Sequence, residues 1–142
     1  MDLCDLETGK PYEHGIVMLT TPKLISTWST EAQKMAAPVI RCGGDIGNNK
    51  FLQSALDRVN ELSGCMNEWV YTRTRQLLND GKIVLTLGGD HSVPFGAITA
   101  YANQYPGLGI VHIDAHYDLR QAYEGFIWSH ASIFYNVMTR LK

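Results

Sequence analysis

Two short apolar runs of β character, Ile83-Val84-Leu85-Thr86-Leu87 and Leu108 to Ile113, flank one helical pattern, and this arrangement constrains the fold more than any other feature. The first run meets Gly88-Gly89, as a strand buried on both faces should. Beyond the turn, Ser92 can cap and Pro94 can sit in the first turn of a helix carrying Phe95, Ile98, Tyr101 and Ala102, which Pro106-Gly107 ends. Strand, helix, strand within about thirty residues is a βαβ unit. The expected fold class is therefore α/β, a parallel sheet with helices on its faces, and ligands on such sheets bind at the carboxyl ends of strands.

Upstream, Phe51, Leu52, Ala55, Leu56, Val59, Leu62, Met66, Trp69, Val70, Leu77 and Leu78 recur at the spacing of an amphipathic helix between Asn49 and Asn79. Gly64 is expected to interrupt it and Gly81 to close it. Lys23 to Met35 is loosely helical. Gly15 to Leu19 and Pro38-Val39-Ile40 read as short strands, the latter running into a turn at Cys42-Gly43-Gly44-Asp45. The first 15 residues are polar and turn-rich.

No repeat or linker divides the 142 residues, so one domain over 1–142 is expected. A chain of this length buries roughly two thirds of its unfolded surface and needs no disulfide or metal to fold. Cys4, Cys42 and Cys65 are odd in number and widely spaced, and read as reduced and structural. No apolar run approaches the ~18 residues of a membrane span, and Met-Asp-Leu-Cys-Asp lacks the blocks of an export signal, so a cytoplasmic location is expected. A net charge of −2 without a basic stripe argues against nucleic acid and for a small-molecule partner. The 18% of charged residues lies below the roughly 25% of an average domain, a hint of further surface to be covered.

The chemistry gathers at the ends of the two β-type runs. Asp114, His116 and Asp118 alternate, which puts them on one side. A fully extended strand would hold Asp114 and Asp118 about 13 Å apart, so the chain must curl before all three can meet around metal. His91, in Gly88-Gly89-Asp90-His91-Ser92, projects into the same crevice as a fourth ligand. Two imidazoles and two carboxylates suit manganese, iron or zinc better than calcium. Such residues near a strand end also cap helices and accept turn hydrogen bonds, but His91 on the neighbouring run weighs against that plainer reading. His112 shares the alternation, yet lies inside the apolar run and reads as a hydrogen-bonded core residue or a support for the ligands. His14 has no neighbours of interest.

Gly-Gly-Asp-His-Ser at 88 to 92 and Asp-Ala-His-Tyr-Asp at 114 to 118 resemble two metal-binding motifs of the ureohydrolases, the family of arginase, agmatinase and formiminoglutamase, in the same order and at about the same separation. The resemblance covers at least Ile83 to Ser132. It implies a binuclear manganese centre, two ions per complete subunit, with His91, Asp114, His116 and Asp118 as ligands on a three-layer α/β/α fold with a mainly parallel sheet. Ser129-His130-Ala131-Ser132 falls where the family carries a histidine-containing substrate loop, with Ala131 in place of the glycine usual in agmatinases. The family's later Asp-x-Asp segment has no counterpart between Asp118 and Lys142. Ile133 to Met138 is helix-like and should lead to another strand, so the domain is expected to be incomplete at its carboxyl end.

The resemblance and the site together imply hydrolysis of a guanidino compound to urea and an amine, placing the protein in polyamine or arginine metabolism. A hydroxide bridging two ions would attack the guanidinium carbon. Asp118 would orient it, and His130 would exchange the proton that the departing amine needs, unless it simply packs beside Trp128. Agmatine is the favoured substrate. Arg120 could instead bind a substrate carboxylate, which would favour arginine, guanidinobutyrate or formiminoglutamate, or it could pair with Glu124 or a neighbouring subunit. A homo-oligomer is expected for the full-length protein. The rival readings are a non-catalytic metal-binding or interaction domain, separated by urea release with added manganese, and a deacetylase-type site with a single zinc ion, separated by counting bound metal.

Overall fold

The computed structural model describes Glu7, Gly9, Lys10, Glu13 and residues 15–141. Four α-helices follow one another: α1 (Lys23–Arg41), α2 (Lys50–Asn79), α3 (Phe95–Gln104) and α4 (Ile133–Arg140), the last preceded by a 3₁₀ turn at His130–Ser132. Cys4 and His14 lie outside the described residues.

Helix α1 runs straight through Pro38-Val39-Ile40, where the sequence suggested a strand. Proline removes one backbone donor there, but Val39 follows Met35 by four residues and lands on the same face. Fully buried, Val39 packs with Ala55 and Leu56 of α2 while Met35, Ile46, Leu52 and Phe126 close around them. Burial of a valine is worth about 1.5–3 kcal/mol, which offsets much of the roughly 3 kcal/mol that a proline inside a helix costs. An ion pair adds to the seam: Arg58 of α2 reaches Glu31 of α1 and Glu61, each at 2.7 Å.

Helix α2 has the ends that the sequence announces. Asn49 accepts from the backbone N–H groups of Phe51 (3.0 Å) and Leu52 (3.2 Å). At the other end Gly81 adopts φ +70°, its N–H bonds to the Leu78 carbonyl, and the Lys82 N–H bonds to that of Leu77. That pair of bonds is a Schellman closure. Gly64 does not interrupt the helix; it lies against the indole of Trp128. Helix α3 crosses α2 at short range because Gly96, Ala97 and Ala100 form its buried face. A Cβ on Gly96 would stand 2.2 Å from the Asn67 carbonyl oxygen of α2.

The expected α/β architecture, three layers with a mainly parallel sheet, is not what the structure shows. Among the described residues there is no strand; Tyr123 and Phe126 form an isolated bridge. Ile83 to Leu87 and Leu108 to Ile113 carry no ladder, and Ile83, Leu85, Val111 and Ile113 are 86% or more exposed. Apolar β-type residues favour a strand only where another backbone supplies the hydrogen bonds and covers the side chains. The partner found by the first run is a side chain: the Val84 N–H donates to the Tyr101 hydroxyl at 2.9 Å, and that hydroxyl donates to the Val84 carbonyl at 3.2 Å. Gly15 to Leu19 likewise forms no strand and is exposed. Cys42 and Cys65 are free thiols.

Downstream of the second run the chain turns back onto α2 and α4. Tyr123 and Phe126 exchange backbone hydrogen bonds of 3.1 and 2.9 Å around Glu124 and Gly125, both with positive φ. Asn60 of α2 clamps this turn, donating to the Gly125 carbonyl (3.3 Å) and accepting from the Ile127 N–H (3.0 Å). Asn136 of α4 is buried and donates to the carbonyls of Ile127 (2.8 Å) and Ser132 (3.0 Å), and its own carbonyl accepts from Arg140 (2.8 Å). Residues 118–132 are thus fastened from two helices.

Candidate metal centre

His91 sits in the turn that leads into α3. Asp90 shapes this turn, accepting from the backbone N–H (2.8 Å) and the hydroxyl (2.5 Å) of Ser92, so Ser92 does not cap α3; Pro94 holds the N-cap position. Gly88 fits because its missing Cβ leaves room for Val93, whose nearest methyl would stand 2.3 Å from it. On the other segment, Asp118 has φ +51°, in the left-handed region that aspartate tolerates better than most residues. This is the curl that the Asp114–Asp118 spacing demands. It is held from α4: the Asp118 carbonyl accepts the N–H groups of Phe134 (3.1 Å) and Tyr135 (3.2 Å), two donors that open the first turn of that helix.

The result is a cluster of His91, His112, Asp114 and Asp118 with one ligand atom of each within 4.8 Å of the others. Nδ1 of His91 is 2.5 Å from Asp118 Oδ2 and 3.4 Å from Asp114 Oδ2. Nε2 of His112 is 3.7 Å from Asp114 Oδ2. The Asp118 carboxylate is 8% exposed, while the Asp114 and His91 side chains are about a third exposed, so the cluster opens on one side. The ring of Phe134 forms its back wall, 4.2 Å from that of His112 and 6.0 Å from that of His91. The backbone N–H of His116 donates to Asp114 Oδ1 at 3.0 Å and holds this carboxyl below the ordinary carboxylate range; burial opposes the shift, and the neighbouring imidazoles add to it.

These residues fit a divalent cation. Among the described residues no lysine or arginine pairs with Asp114 or Asp118, so imidazoles alone face these carboxylates. Nε2 of His112 is buried with no hydrogen-bond partner, a cost of about 1–3 kcal/mol that a nearby cation or proton would relieve. An imidazole whose Nδ1 carries no proton would aim that lone pair between the two carboxylates, the state a metal requires.

His116 is placed differently from the other sequence-derived ligands. Its side chain is 83% exposed, with Nδ1 3.7 Å from Asp114 Oδ1, and it is not among the four converging groups. His112, read from the sequence as a supporting residue, is among them. Its signal was present in the alternation of 112, 114 and 116, and its apolar neighbours outweighed it. His130 is exposed and lies against Tyr123, the ring centres 5.3 Å apart, rather than beside Trp128, which packs with Phe95 and Arg140. Arg120 lies over the same Tyr123 ring at 5.4 Å and pairs with no carboxylate among the described residues, Glu124 included.

Residues 41–142 match the family model of the arginase family. The chain belongs to the arginase family. An agmatinase of Bacillus anthracis is 49% identical over 57 residues, 40% of this chain and 20% of that protein. An N(1)-aminopropylagmatine ureohydrolase of Thermus thermophilus is 42% identical over 62 residues, 44% of this chain and 21% of that protein. Arginase 1, mitochondrial, of Oryza sativa subsp. indica is 46% identical over 55 residues, 38% of this chain and 16% of that protein. The chain thus covers about a fifth of the length of these relatives within the matches. No solved structure matches it. No helix among the described residues is long and apolar enough to cross a membrane.

Proposed function

We propose that this arginase-family chain is part of a manganese-dependent ureohydrolase that cleaves agmatine, in the cytoplasm, to urea and an amine. The observation that carries the reading is the convergence of His91, Asp114 and Asp118, from the two sequence motifs, with ligand atoms within 4.8 Å of one another. His116, exposed beside Asp114, would turn in to serve a second ion. Manganese bound there would lower the pKa of a water enough to supply hydroxide at neutral pH. Asp118, the least exposed of the carboxylates, orients the attacking water. His130 carries a proton to the departing amine, as a general acid does. Agmatine is favoured because relatives of this chain bear the names agmatinase and aminopropylagmatine ureohydrolase.

A second reading is an acidic substrate such as arginine or guanidinobutyrate. It is favoured by Arg120, whose guanidinium has no carboxylate partner among the described residues. One experiment separates these possibilities. The complete protein, stripped with chelator and reloaded with manganese, is assayed for urea release from agmatine, arginine and guanidinobutyrate. Agmatine turned over fastest supports the first reading, and arginine or guanidinobutyrate the second. No urea from any of them, with manganese bound, would make the protein a non-catalytic metal-binding member.

A further inference from the structure

Two side chains given substrate roles above, Arg120 and His130, come from separate stretches of chain yet rest on one ring. The centre of Tyr123 is 5.3 Å from that of His130, with the planes inclined at 59°, and the Arg120 guanidinium carbon is 5.4 Å from the Tyr123 ring centre. Among the described residues neither the Arg120 nor the His130 side chain takes part in a hydrogen bond or an ion pair. The ring, by contrast, stands on a fixed base. Tyr123 exchanges two backbone bonds with Phe126, Asn60 clamps the turn between them, and Phe126 is packed against the core of α1 and α2. The two stretches are also tied together beside the ring, where the Arg120 N–H donates to the Ala131 carbonyl at 3.0 Å.

We propose that Tyr123 is the positioning residue of the substrate rim, its ring fixing the direction of the His130 imidazole and of the Arg120 guanidinium. This rests on the role given to His130 above. A guanidinium stacked on an aromatic face keeps its in-plane N–H donors free, so Arg120 can still offer them to the carboxylate of an acidic substrate. An imidazole lying against the same ring is blocked on that side, which narrows the orientations its nitrogens can take. The ring, not the hydroxyl, carries this function.

The test uses the complete manganese-loaded protein with Tyr123→Phe, Tyr123→Leu and Tyr123→Gln, the last two both lacking the ring in case one folds poorly. Turnover is measured alongside manganese content and the rate of His130 carbethoxylation read by peptide mass spectrometry. The phenylalanine variant should stay near the parent in all three. Loss of the ring should lower kcat about 10²-fold, the usual cost of an ångström-scale misplacement, with little change in KM and with manganese retained. His130 should label several-fold faster once its face is uncovered. Parental kcat and parental labelling in a folded ring-less variant would overturn the proposal. So would loss of manganese together with turnover, which would make Tyr123 a support of the metal centre. If the parent itself released no urea, the assigned activity would fail on its own, and the labelling would still decide: an unchanged rate would refute the positioning role.

Discussion

The backbone N–H of Phe134 donates to the carbonyl of Asp118 at 3.1 Å, while the Phe134 ring lies 4.2 Å from that of His112. One residue at the start of α4 therefore holds a carboxylate segment by its main chain and an imidazole by its side chain. Replacement by leucine keeps the backbone bond and most of the volume but removes the aromatic contact. Phe134→Leu should weaken manganese binding by about tenfold, the lower range seen when groups supporting metal ligands are changed. Calorimetric titration of the stripped protein would measure it, and an unchanged affinity would show that the ring does not orient His112.

The ligand set makes a graded prediction. His91→Ala, Asp114→Ala and Asp118→Ala each remove a member of the converging cluster and should lower both metal content and urea release. His116→Ala should lower metal content by one ion at most, because its side chain stands outside that cluster. Metal analysis after dialysis distinguishes the cases; two ions retained by Asp114→Ala would refute the assignment. Residues 1–142 alone should hold manganese weakly, since four donors fall short of the octahedral shell that the ion prefers.

The close approach of α3 to α2 depends on Gly96. Gly96→Ala places a methyl 2.2 Å from a backbone oxygen and 2.7 Å from the Tyr71 nitrogen, neither of which can swing aside. Separation of the helices should cost about 1–3 kcal/mol, as overpacking usually does. Urea denaturation should show it as a lower midpoint, whereas Gly109→Ala, with open space around its Cβ position, should not shift the midpoint through a clash.

Asn136→Ala leaves the carbonyls of Ile127 and Ser132 without their side-chain donor in the interior below the His130 turn. The expected loss is about 1–3 kcal/mol of stability. Amide exchange over residues 127–132 should quicken more than exchange over α2. Equal acceleration everywhere would mean that Asn136 supports the fold as a whole and not this loop in particular.

Acid should weaken the α1–α2 seam in a defined direction. The hydrogen bond from Arg58 holds the Glu31 carboxyl below its ordinary range, against a smaller opposing effect of burial. A depressed folded-state pKa means that the stabilisation is full above the ordinary carboxylate pKa and is lost as the pH falls through the folded-state value. The stability difference between the parent and Glu31→Gln should therefore be present at neutral pH and disappear in acid. A difference independent of pH would assign the effect to packing.

The helices were legible because their determinants are local. Asn49 caps α2 through donors two and three residues away, and Gly81 closes it through carbonyls three residues back and, by way of Lys82, five residues back. The failure at Pro38 has a different origin, since Val39 is helical through burial against Ala55 and Leu56, contacts that no local window contains. The strands failed for the same kind of reason. The apolar alternation of Ile83 to Leu87 and Leu108 to Ile113 states which side chains seek cover, but a ladder exists only when another backbone is alongside, and the described residues provide none.

By itself the sequence determined the residue types of the site, the motif pair that places the chain in the arginase family, and the helix ends set by hydrogen bonds between near neighbours. Tertiary structure alone decided which of these side chains meet. His112 meets Asp114 while His116 does not converge, and Asp118 joins them through a left-handed turn whose carbonyl is held by amides of α4, sixteen and seventeen residues further on. Arg120 and His130 share the ring of Tyr123 because Asn60, more than sixty residues upstream, clamps the turn that carries it. Contacts between distant parts of the chain cost loop-closure entropy and are repaid only by packing in three dimensions, and no spacing along the sequence encodes that balance.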